Sequence, residues 1–379
     1  MLISNMNVEK VAIFTHGIQK GPFARLSTTL ARGLNQLDID CDVVVLNARE
    51  ADKAKYSDIK VCSLEVSRAL LSLPALVSYL DKHQPDIIFS MPWYFNIIAI
   101  LARVFSRHKP KIIIGEHNIC SLESQIEHGS SLKTRYLPIL MRLTYGHSNG
   151  LIGVCHDTVK DLVEYVKISP HLPTKVISNP IDIQGIQEES RAPASHAWFN
   201  NPEMMTVLTV ARMAKQKQLD VLLKTFAKVL EVEPTARLII LGEGPLRPDL
   251  EALAEKLEIQ DYVSMPGYDP NPYSCMRKAD VFVLASAWEG CPVALEEALA
   301  CGTAVIVNDA PGGSKDIVNH GEFGVVVPSG DIDSLSKSIL QLLTDVALKE
   351  HYQKQSLQRA KSFDFLDITR QYLEFAQSV

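Results

Sequence analysis

Short, continuous apolar segments rich in β-branched residues recur along the whole chain and alternate with amphipathic segments of helical period. Apolar strands separated by such helices are typical of parallel sheets that are covered on both faces. The segments fall into two series, which predict an α/β protein with two doubly wound, Rossmann-like domains. The predicted strands are residues 11–14, 41–46, 86–89, 111–114 and 150–154 in the first series and 207–210, 237–241, 281–284, 304–307 and 324–327 in the second.

A polar segment without periodicity, residues 183–202, separates the two series and predicts a linker. The N-terminal domain is then residues 1–182, and the C-terminal domain is residues 203–362. The amphipathic segment 363–379 predicts a final helix that can pack back on the first domain or stay with the second. Because open parallel sheets bind ligands beyond the carboxyl ends of their strands, we expect the two domains to face a central cleft.

Residues 87–102 are uncharged throughout and raise the question of a membrane span. They are fewer than the roughly twenty residues that cross a bilayer, and Pro92 and Asn96 interrupt them. We therefore predict a buried strand, a loop and an apolar helix.

The N-terminus shows no secretory pattern, and the seven scattered cysteines form no CxxC pair. We therefore expect reduced, mostly buried thiols in a cytoplasmic protein.

Charge is distributed unevenly along the chain. The first 190 residues carry 20 Lys and Arg against 19 Asp and Glu, whereas the remainder carries 18 against 25, within a formal net charge of −6. No extended basic stripe is present, which argues against nucleic acid as a partner. The basic and apolar segments 103–111 and 132–143 instead favour peripheral contact with anionic lipid on the inner face of the cell membrane, with solvated helix faces as the alternative.

Charged side chains and glycines follow the predicted strands of the second series. Arg212 and Lys217 come after strand 207–210, where a guanidinium fork and a lysine would suit a diphosphate, although solvated loop cations are the alternative. Gly242 follows strand 237–241 in a GxG turn. That turn is a weak signal for close approach of the backbone to a ligand.

The segment after strand 281–284 carries the strongest signal. Glu289 and Gly290 lead into a helix that is expected to start near Pro292, and amides around Cys291–Val293 could accept negative charge. Glu297 projects from a mostly apolar part of this helix and therefore needs a partner. We expect Glu289 and Glu297 to reach sugar or ribose hydroxyls.

Three further candidates are weaker. We assign Glu296, next to Glu297, to an exposed helical face. In the first series, Gly21 lies in a loop before a helix, and His117 follows strand 111–114, where a functional role competes with a structural one.

Two acid pairs superficially suggest a metal site, but we predict none. Asp40 and Asp42 precede a strand instead of following one. Asp331, in the pair with Asp333, is more typical of a helix N-cap.

Five segments together resemble one enzyme family. They are ARMAKQKQLDVLL, LGEGPL, NPYSCMRKADVFVLASAWEGCPVALEEALACGTAVI and APGGSKDIV, backed by SNPID. In order and spacing they resemble retaining glycosyltransferases of the GT-B fold, family 4. The strong match covers about residues 205–330, and the first half is similar to the family only in general pattern.

The resemblance implies roles for the donor-side residues. Arg212 and Lys217 would hold the donor diphosphate, Glu289 would bind hydroxyls of the transferred sugar, and Glu297 would bind the ribose. The amides near Cys291–Val293 would contact the phosphates or the sugar.

It also implies roles elsewhere. Gly267 opens the segment GYDPNP, which would lie near the base, and His117 would lie beside the reacting sugar. The loop at Gly21 would face phosphate or acceptor. This chain departs from the family by having Gly21-Pro22 in place of paired glycines and Asp316 in place of the usual glutamate.

These features predict a retaining enzyme that moves a hexose or N-acetylhexosamine from a nucleotide sugar to a glycan or lipid-linked glycan in envelope polysaccharide or lipopolysaccharide synthesis. UDP-linked donors are favoured and GDP-mannose is second. The nucleotide sugar is a co-substrate, and we expect no metal and no other cofactor. A non-catalytic nucleotide-sugar-binding protein and a GT-B epimerase are the alternatives.

Overall fold

The computed structural model describes residues 8–19, 21–123 and 132–379, without the side chains of 132–135. The chain divides into two compact units. Unit 1 is Met1–Ile181 with Asp364–Val379, and unit 2 is Asp182–Phe363.

The described part of unit 1 contains a parallel sheet of seven strands in the order β3-β2-β1-β4-β5-β6-β7. Its strands are β1 (Lys10–Thr15), β2 (Asp40–Val45), β3 (Lys60–Ser63), β4 (Ile87–Ser90), β5 (Lys111–Glu116), β6 (Gly150–Gly153) and β7 (Thr174–Val176). Its helices are α1 (Pro22–Gln36), α2 (Glu50–Ala54), α3 (Ser72–His83), α4 (Trp93–Phe105), α5 (Cys120–Leu122), α6 (Leu132–Thr144) and α7 (His156–Asp161), with a π-helix at Leu162–Val166.

Unit 2, which is described throughout, contains a parallel sheet of six strands in the order β10-β9-β8-β11-β12-β13. The strands are β8 (Met205–Val210), β9 (Ala236–Leu241), β10 (Val263–Gly267), β11 (Val281–Leu284), β12 (Ala304–Asp309) and β13 (Val325–Pro328). The helices are α8 (Ile183–Glu189), α9 (Leu219–Val232), α10 (Arg247–Lys256), α11 (Pro272–Lys278), α12 (Val293–Ala300), α13 (Ser314–Ile317), α14 (Ile332–Thr344) and α15 (Val346–Ala360). Helix α16 (Phe365–Ser378) belongs to unit 1.

The fold prediction is confirmed, because both sheets are parallel and doubly wound and all ten predicted strands are present. Three strands were missed: β3, β7 and β10. Each lies at a sheet edge and is only partly buried, so its sequence lacks the continuous apolar run of a central strand. Residues 87–102 form strand β4 and most of helix α4, as predicted.

Residues 183–202 were predicted as a linker, but the structure places them in unit 2. The side chain of Asp182 caps α8 by accepting from the Gly185 amide at 2.9 Å. Ile186 is buried, and Gln187 donates to the carbonyl of Ala300 at 3.3 Å. Helix α8 has seven residues and only one of them is buried, so its sequence shows no helical period.

The final helix packs back on unit 1, one of the two expected options. Ile368, Tyr372 and Leu373 of α16 are buried in the same core as the inner face of α1. Phe365 donates its amide to the carbonyl of Ile181 at 3.1 Å, which fixes the return of the chain.

The seven cysteines are all free thiols, five of them buried, as the sequence predicts. No helix among the described residues combines the length and apolar character that crossing a bilayer requires.

Close packing of α16 on α1 yields a stability prediction. A Cβ added at Gly33 would collide with the hydroxyl of Thr369, a buried and β-branched side chain that cannot easily move. We expect Gly33→Ala to lower the free energy of unfolding by about 1–3 kcal/mol in urea denaturation. Gly146→Ala is the matched control, because a Cβ there meets nothing within 4 Å. Equal stability of the two variants would contradict the prediction.

Candidate active site

The strand order of unit 2 defines where a ligand is expected. β8 pairs with β9 on one side and with β11 on the other, so the chain direction of the crossovers reverses between β8 and β11. Open parallel sheets bind ligands at the carboxyl ends of the strands at this switch point. The loops that follow β8 and β11 carry Arg212, Lys217 and Glu289.

An ion pair joins these two loops. The ammonium of Lys217 lies 2.5 Å from Oε1 of Glu289, and both side chains are largely buried. The hydroxyl of Ser286 donates to the same carboxylate oxygen at 2.6 Å. Sequence reasoning missed Ser286. It lies two residues beyond β11, and Glu289 was selected because it follows the same strand, so the same criterion could have found Ser286.

Two hydrogen bonds to backbone carbonyls, one from an amide and one from a side chain, hold the two loops together beside the ion pair. Ala287 donates its amide to the carbonyl of Gln216 at 2.8 Å, and the side chain of Gln216 donates to the carbonyl of Trp288 at 3.0 Å. The position of Lys217 relative to Glu289 is therefore fixed by the main chain as well as by charge.

A third loop, after β12, supports Glu289. The Glu289 amide donates to the carbonyl of Pro311 at 3.0 Å, and the Gly313 amide donates to that of Gly290 at 2.8 Å. Gly312 has φ +113°, and a Cβ there would overlap the carbonyl oxygen of Glu289. Only glycine fits, because the conformation and the space both exclude a side chain.

Helix α12 starts beside this carboxylate. Pro292 is the N-cap and Val293 the first helical residue, one position later than expected from the sequence. The first amides of a helix have no intrahelical acceptor and favour anions. Pro292 has no N–H group, so Cys291 and Val293 are the members of the predicted amide set that can donate.

Glu297 and Glu296 are adjacent on α12 but have different surroundings. Glu297 is buried and accepts from the hydroxyl of Tyr273 on α11 at 3.2 Å. The assignment of Glu296 to an exposed face is wrong, since the side chain is fully buried. Helices α8, α11 and α15 surround α12, which leaves no solvated face for it.

The buried side chain of Glu296 is mainly protonated, so no unpaired negative charge is buried there. Burial raises the pKa of Glu296 to about 8, against a weaker lowering effect of a hydrogen bond from the Cys291 thiol. That thiol lies 3.1 Å from Oε1. At neutral pH the side chain is therefore mainly uncharged.

The remaining donor-side candidates lie around the ends of β8, β9 and β10. Arg212 is exposed just after β8. The Gly242 amide donates to the carbonyl of Gly267 at 2.8 Å, which joins the ends of β9 and β10. Beyond Gly267, the side chain of Asp269 accepts from the hydroxyl of Ser195 at 2.5 Å, so the supposed linker supports the predicted base loop.

In unit 1, His117 lies just beyond β5 and is partly buried. Its ring meets that of Phe23 edge-on, with centroids 5.2 Å apart. Burial lowers the pKa of His117 to about 4, although a hydrogen bond with Asn179 opposes the shift. The imidazole is therefore neutral at physiological pH.

Glu116, which precedes His117, belongs to a buried polar network that sequence reasoning missed. The hydroxyl of Tyr145 donates to its carboxyl group, and Asn96 donates to the same oxygen at 2.8 Å. Burial raises the pKa of Glu116 to about 7, while these two hydrogen bonds lower it.

A cavity of about 630 Å³ lies at the switch point of unit 1, where the loops after β1 and β4 diverge. Gly21, the N-cap of α1, and Phe23 line one side, and Arg49 and Tyr94 also line it. Aromatic, basic and amide-bearing side chains in one concave site suit a polar ligand with apolar faces, such as a carbohydrate.

Comparison with known proteins agrees with this architecture. The family model described as "Glycosyltransferase Family 4" matches residues 24–184, and the model described as "Glycosyl transferases group 1" matches residues 192–359. The chain is a glycosyltransferase of the GT-B fold. It belongs to family 4.

One relative spans nearly the whole chain. It is the N-acetylgalactosamine-N,N'-diacetylbacillosaminyl-diphospho-undecaprenol 4-alpha-N-acetylgalactosaminyltransferase of Campylobacter jejuni, 27% identical over 97% of this chain and 99% of its own. Among solved structures, sucrose-phosphate synthase from Thermosynechococcus elongatus has a TM-score of 0.81 at 18% identity over 98% of both chains. Anabaena HepE in complex with UDP and glucose has a TM-score of 0.77 at 19% identity over 98% of this chain and 100% of its own.

The neutral state of Glu296 has a testable effect on stability. With a folded pKa of about 8 and an ordinary value of 4.5, the folded state keeps a proton that the unfolded state releases between these values. Wild-type stability therefore falls as the pH rises through this window, by at most about 1.4 kcal/mol per pH unit. We expect Glu296→Gln to lack this loss, so that its stability relative to wild type increases with pH.

Urea denaturation near the two ends of that window measures this difference. Glu350→Gln, at an exposed position of α15, is the control for the substitution itself. A difference between Glu296→Gln and wild type that stays constant with pH would show that Glu296 is not protonated in the folded protein.

Proposed function

We propose that this enzyme transfers a hexose or N-acetylhexosamine, with retention of anomeric configuration, from a UDP-sugar to a lipid-linked glycan in envelope polysaccharide or lipopolysaccharide synthesis. The observation that carries the proposal is the fixed Lys217–Glu289 pair beside the start of α12, at the switch point of unit 2. The lipid-linked acceptor is supported by the diphospho-undecaprenol substrate in the name of the Campylobacter relative. The UDP donor is supported by the ligands of HepE.

The proposed roles follow from the charges that develop during transfer. When the bond from the anomeric carbon to the phosphate oxygen breaks, negative charge grows on the leaving diphosphate. Lys217, Arg212 and the first amides of α12 are assigned to stabilise that charge. The ammonium of Lys217 has three donors, so its bond to Glu289 leaves others for phosphate oxygens.

The carboxylates are assigned to the hydroxyl groups of the donor. Glu289 retains acceptor capacity beyond its bonds to Lys217 and Ser286, which suits sugar hydroxyls. Glu297, positioned by Tyr273, is assigned to the ribose. His117 is assigned to the reacting sugar, where a neutral imidazole can donate or accept a hydrogen bond without adding charge.

We assign front-face attack to the transfer step. The acceptor oxygen forms a bond to the anomeric carbon on the side from which the diphosphate leaves, and the acceptor proton passes to the departing phosphate oxygen. The leaving group then serves as the base, and the two cations offset its charge without a metal. The cavity of unit 1, with Tyr94 and Arg49, is assigned to the acceptor.

Two lysines of the same loop give a matched test. Lys217 is largely buried and paired with Glu289, whereas Lys215 is exposed. We expect Lys217→Ala to lower kcat by about 10²-fold or more, because it removes a preorganised cation from the transition state. Lys215→Ala is expected to stay near the wild-type rate. Wild-type activity in Lys217→Ala, with thermal unfolding unchanged, would refute the assigned role.

Nucleotide release from a donor panel tests the substrate class. Purified enzyme is given UDP-sugars or GDP-mannose, with and without a lipid extract that contains acceptor, and with and without EDTA. We expect acceptor-dependent release of UDP that survives EDTA, and the anomeric configuration of the product, measured by NMR, should match that of the donor. GDP release alone would overturn the UDP assignment, and an interconverted donor without release would favour an epimerase.

A further inference from the structure

Exposed large apolar side chains are concentrated in one part of unit 1. Among the described residues, ten of the fourteen such side chains lie between residues 70 and 165, and the other four are scattered over unit 2. Exposed apolar side chains that share one helical face mark an interaction site, whereas single exposed side chains need no explanation.

Four of the ten form a stripe on α6. Tyr136, Ile139, Leu140 and Leu143 are spaced as one helical face and are 47–65% exposed. The opposite face of the same helix packs in the core of unit 1 through Leu137 and Met141. Helix α6 is thus apolar on both sides, and its outer face has no covering element among the described residues.

The end of α4 adds to this stripe. Arg103 donates to Oδ1 of Asn149 at 2.8 Å and to the carbonyl of His147, which lies in the turn directly after α6. The C-terminal ends of α4 and α6 are therefore adjacent. Val104 and Phe105, which are 61% and 67% exposed, lie at the same end of the unit as Leu143.

The charged residues of the two segments that form the stripe are all basic. Neither residues 103–111 nor residues 132–147 contain Asp or Glu, and the side chains of Arg107 and Arg142 are exposed. Two acids lie on neighbouring elements: Asp81, which accepts from the backbone amides of Arg107 and His108, and the exposed Glu164 of the π-helix that packs against α6. An apolar stripe flanked by arginines complements an anionic lipid surface, with apolar side chains below the headgroups and guanidinium groups at the phosphates.

We propose that the outer face of α6, with the end of α4, docks this enzyme on the surface of an anionic bilayer. The choice of a bilayer rests in part on the proposed lipid-linked acceptor, which such docking would bring within reach. A second copy fits less well, because a symmetric contact through α6 would bring the two Arg142 side chains towards each other, and α6 itself supplies no acidic partner for them.

Vesicle sedimentation with the full-length enzyme tests the surface. We expect binding to vesicles of equimolar phosphatidylglycerol and phosphatidylcholine, little binding to phosphatidylcholine alone, and weakening by salt. Leu143→Glu should reduce the binding about tenfold or more, because it removes apolar burial and adds like charge to the lipid. Val346→Glu is the matched control, since Val346 is 60% exposed but lies in unit 2.

Three outcomes would overturn the proposal: no binding to anionic vesicles, equal loss in both variants, or an unchanged Leu143→Glu. Analytical ultracentrifugation of the same proteins detects the competing partner, because a concentration-dependent dimer abolished by Leu143→Glu would assign the face to a second copy. Acceptor-dependent UDP release in detergent is measured in parallel. If the enzyme releases UDP but does not bind vesicles, the docking surface is refuted and the proposed function stands. If it binds vesicles but does not release UDP, the proposed function is refuted and the docking surface stands.

Discussion

The contact between Lys217 and Glu289 is the constraint on which the candidate site of unit 2 depends. A carboxylate with little exposure would be unfavourable alone, and the neighbouring ammonium and the Ser286 hydroxyl make its burial tolerable. Three loops meet around Glu289, which belongs to the loop after β11. The loop after β8 contributes Gln216, and the loop after β12 contributes Gly312. The sheet sets the positions of these loops, and the ion pair sets the position of the charged atoms.

Helix α12 shows that two neighbouring acids can have different surroundings. Glu297 has the Tyr273 hydroxyl as a partner, whereas burial raises the pKa of Glu296 to about 8 and keeps it mainly protonated at neutral pH. One negative charge is thus removed from the start of α12. At neutral pH the first amides of α12 therefore have one carboxylate fewer near them, which favours an anion at this end of the helix.

Sequence alone predicted the two sheets, because central parallel strands are apolar on both faces and leave an unmistakable run. It also predicted that Lys217 and Glu289 converge on one edge of the second sheet, since both follow central strands, and the structure joins the two in an ion pair. It failed where tertiary context decides. The burial of Glu296 depends on three helices from distant parts of the chain, and α8 is too short to show a period. The link from Ser195 to Asp269 joins residues 74 apart, which no local pattern reveals.

The return of α16 to unit 1 has a consequence for how the protein is made. Five buried residues of the first core lie between positions 368 and 376, so unit 1 cannot complete that core until α16 has left the ribosome. Unit 2 is continuous and is fully synthesised before α16. The unit that begins first therefore finishes folding last, and during translation it depends on a segment that has not yet emerged.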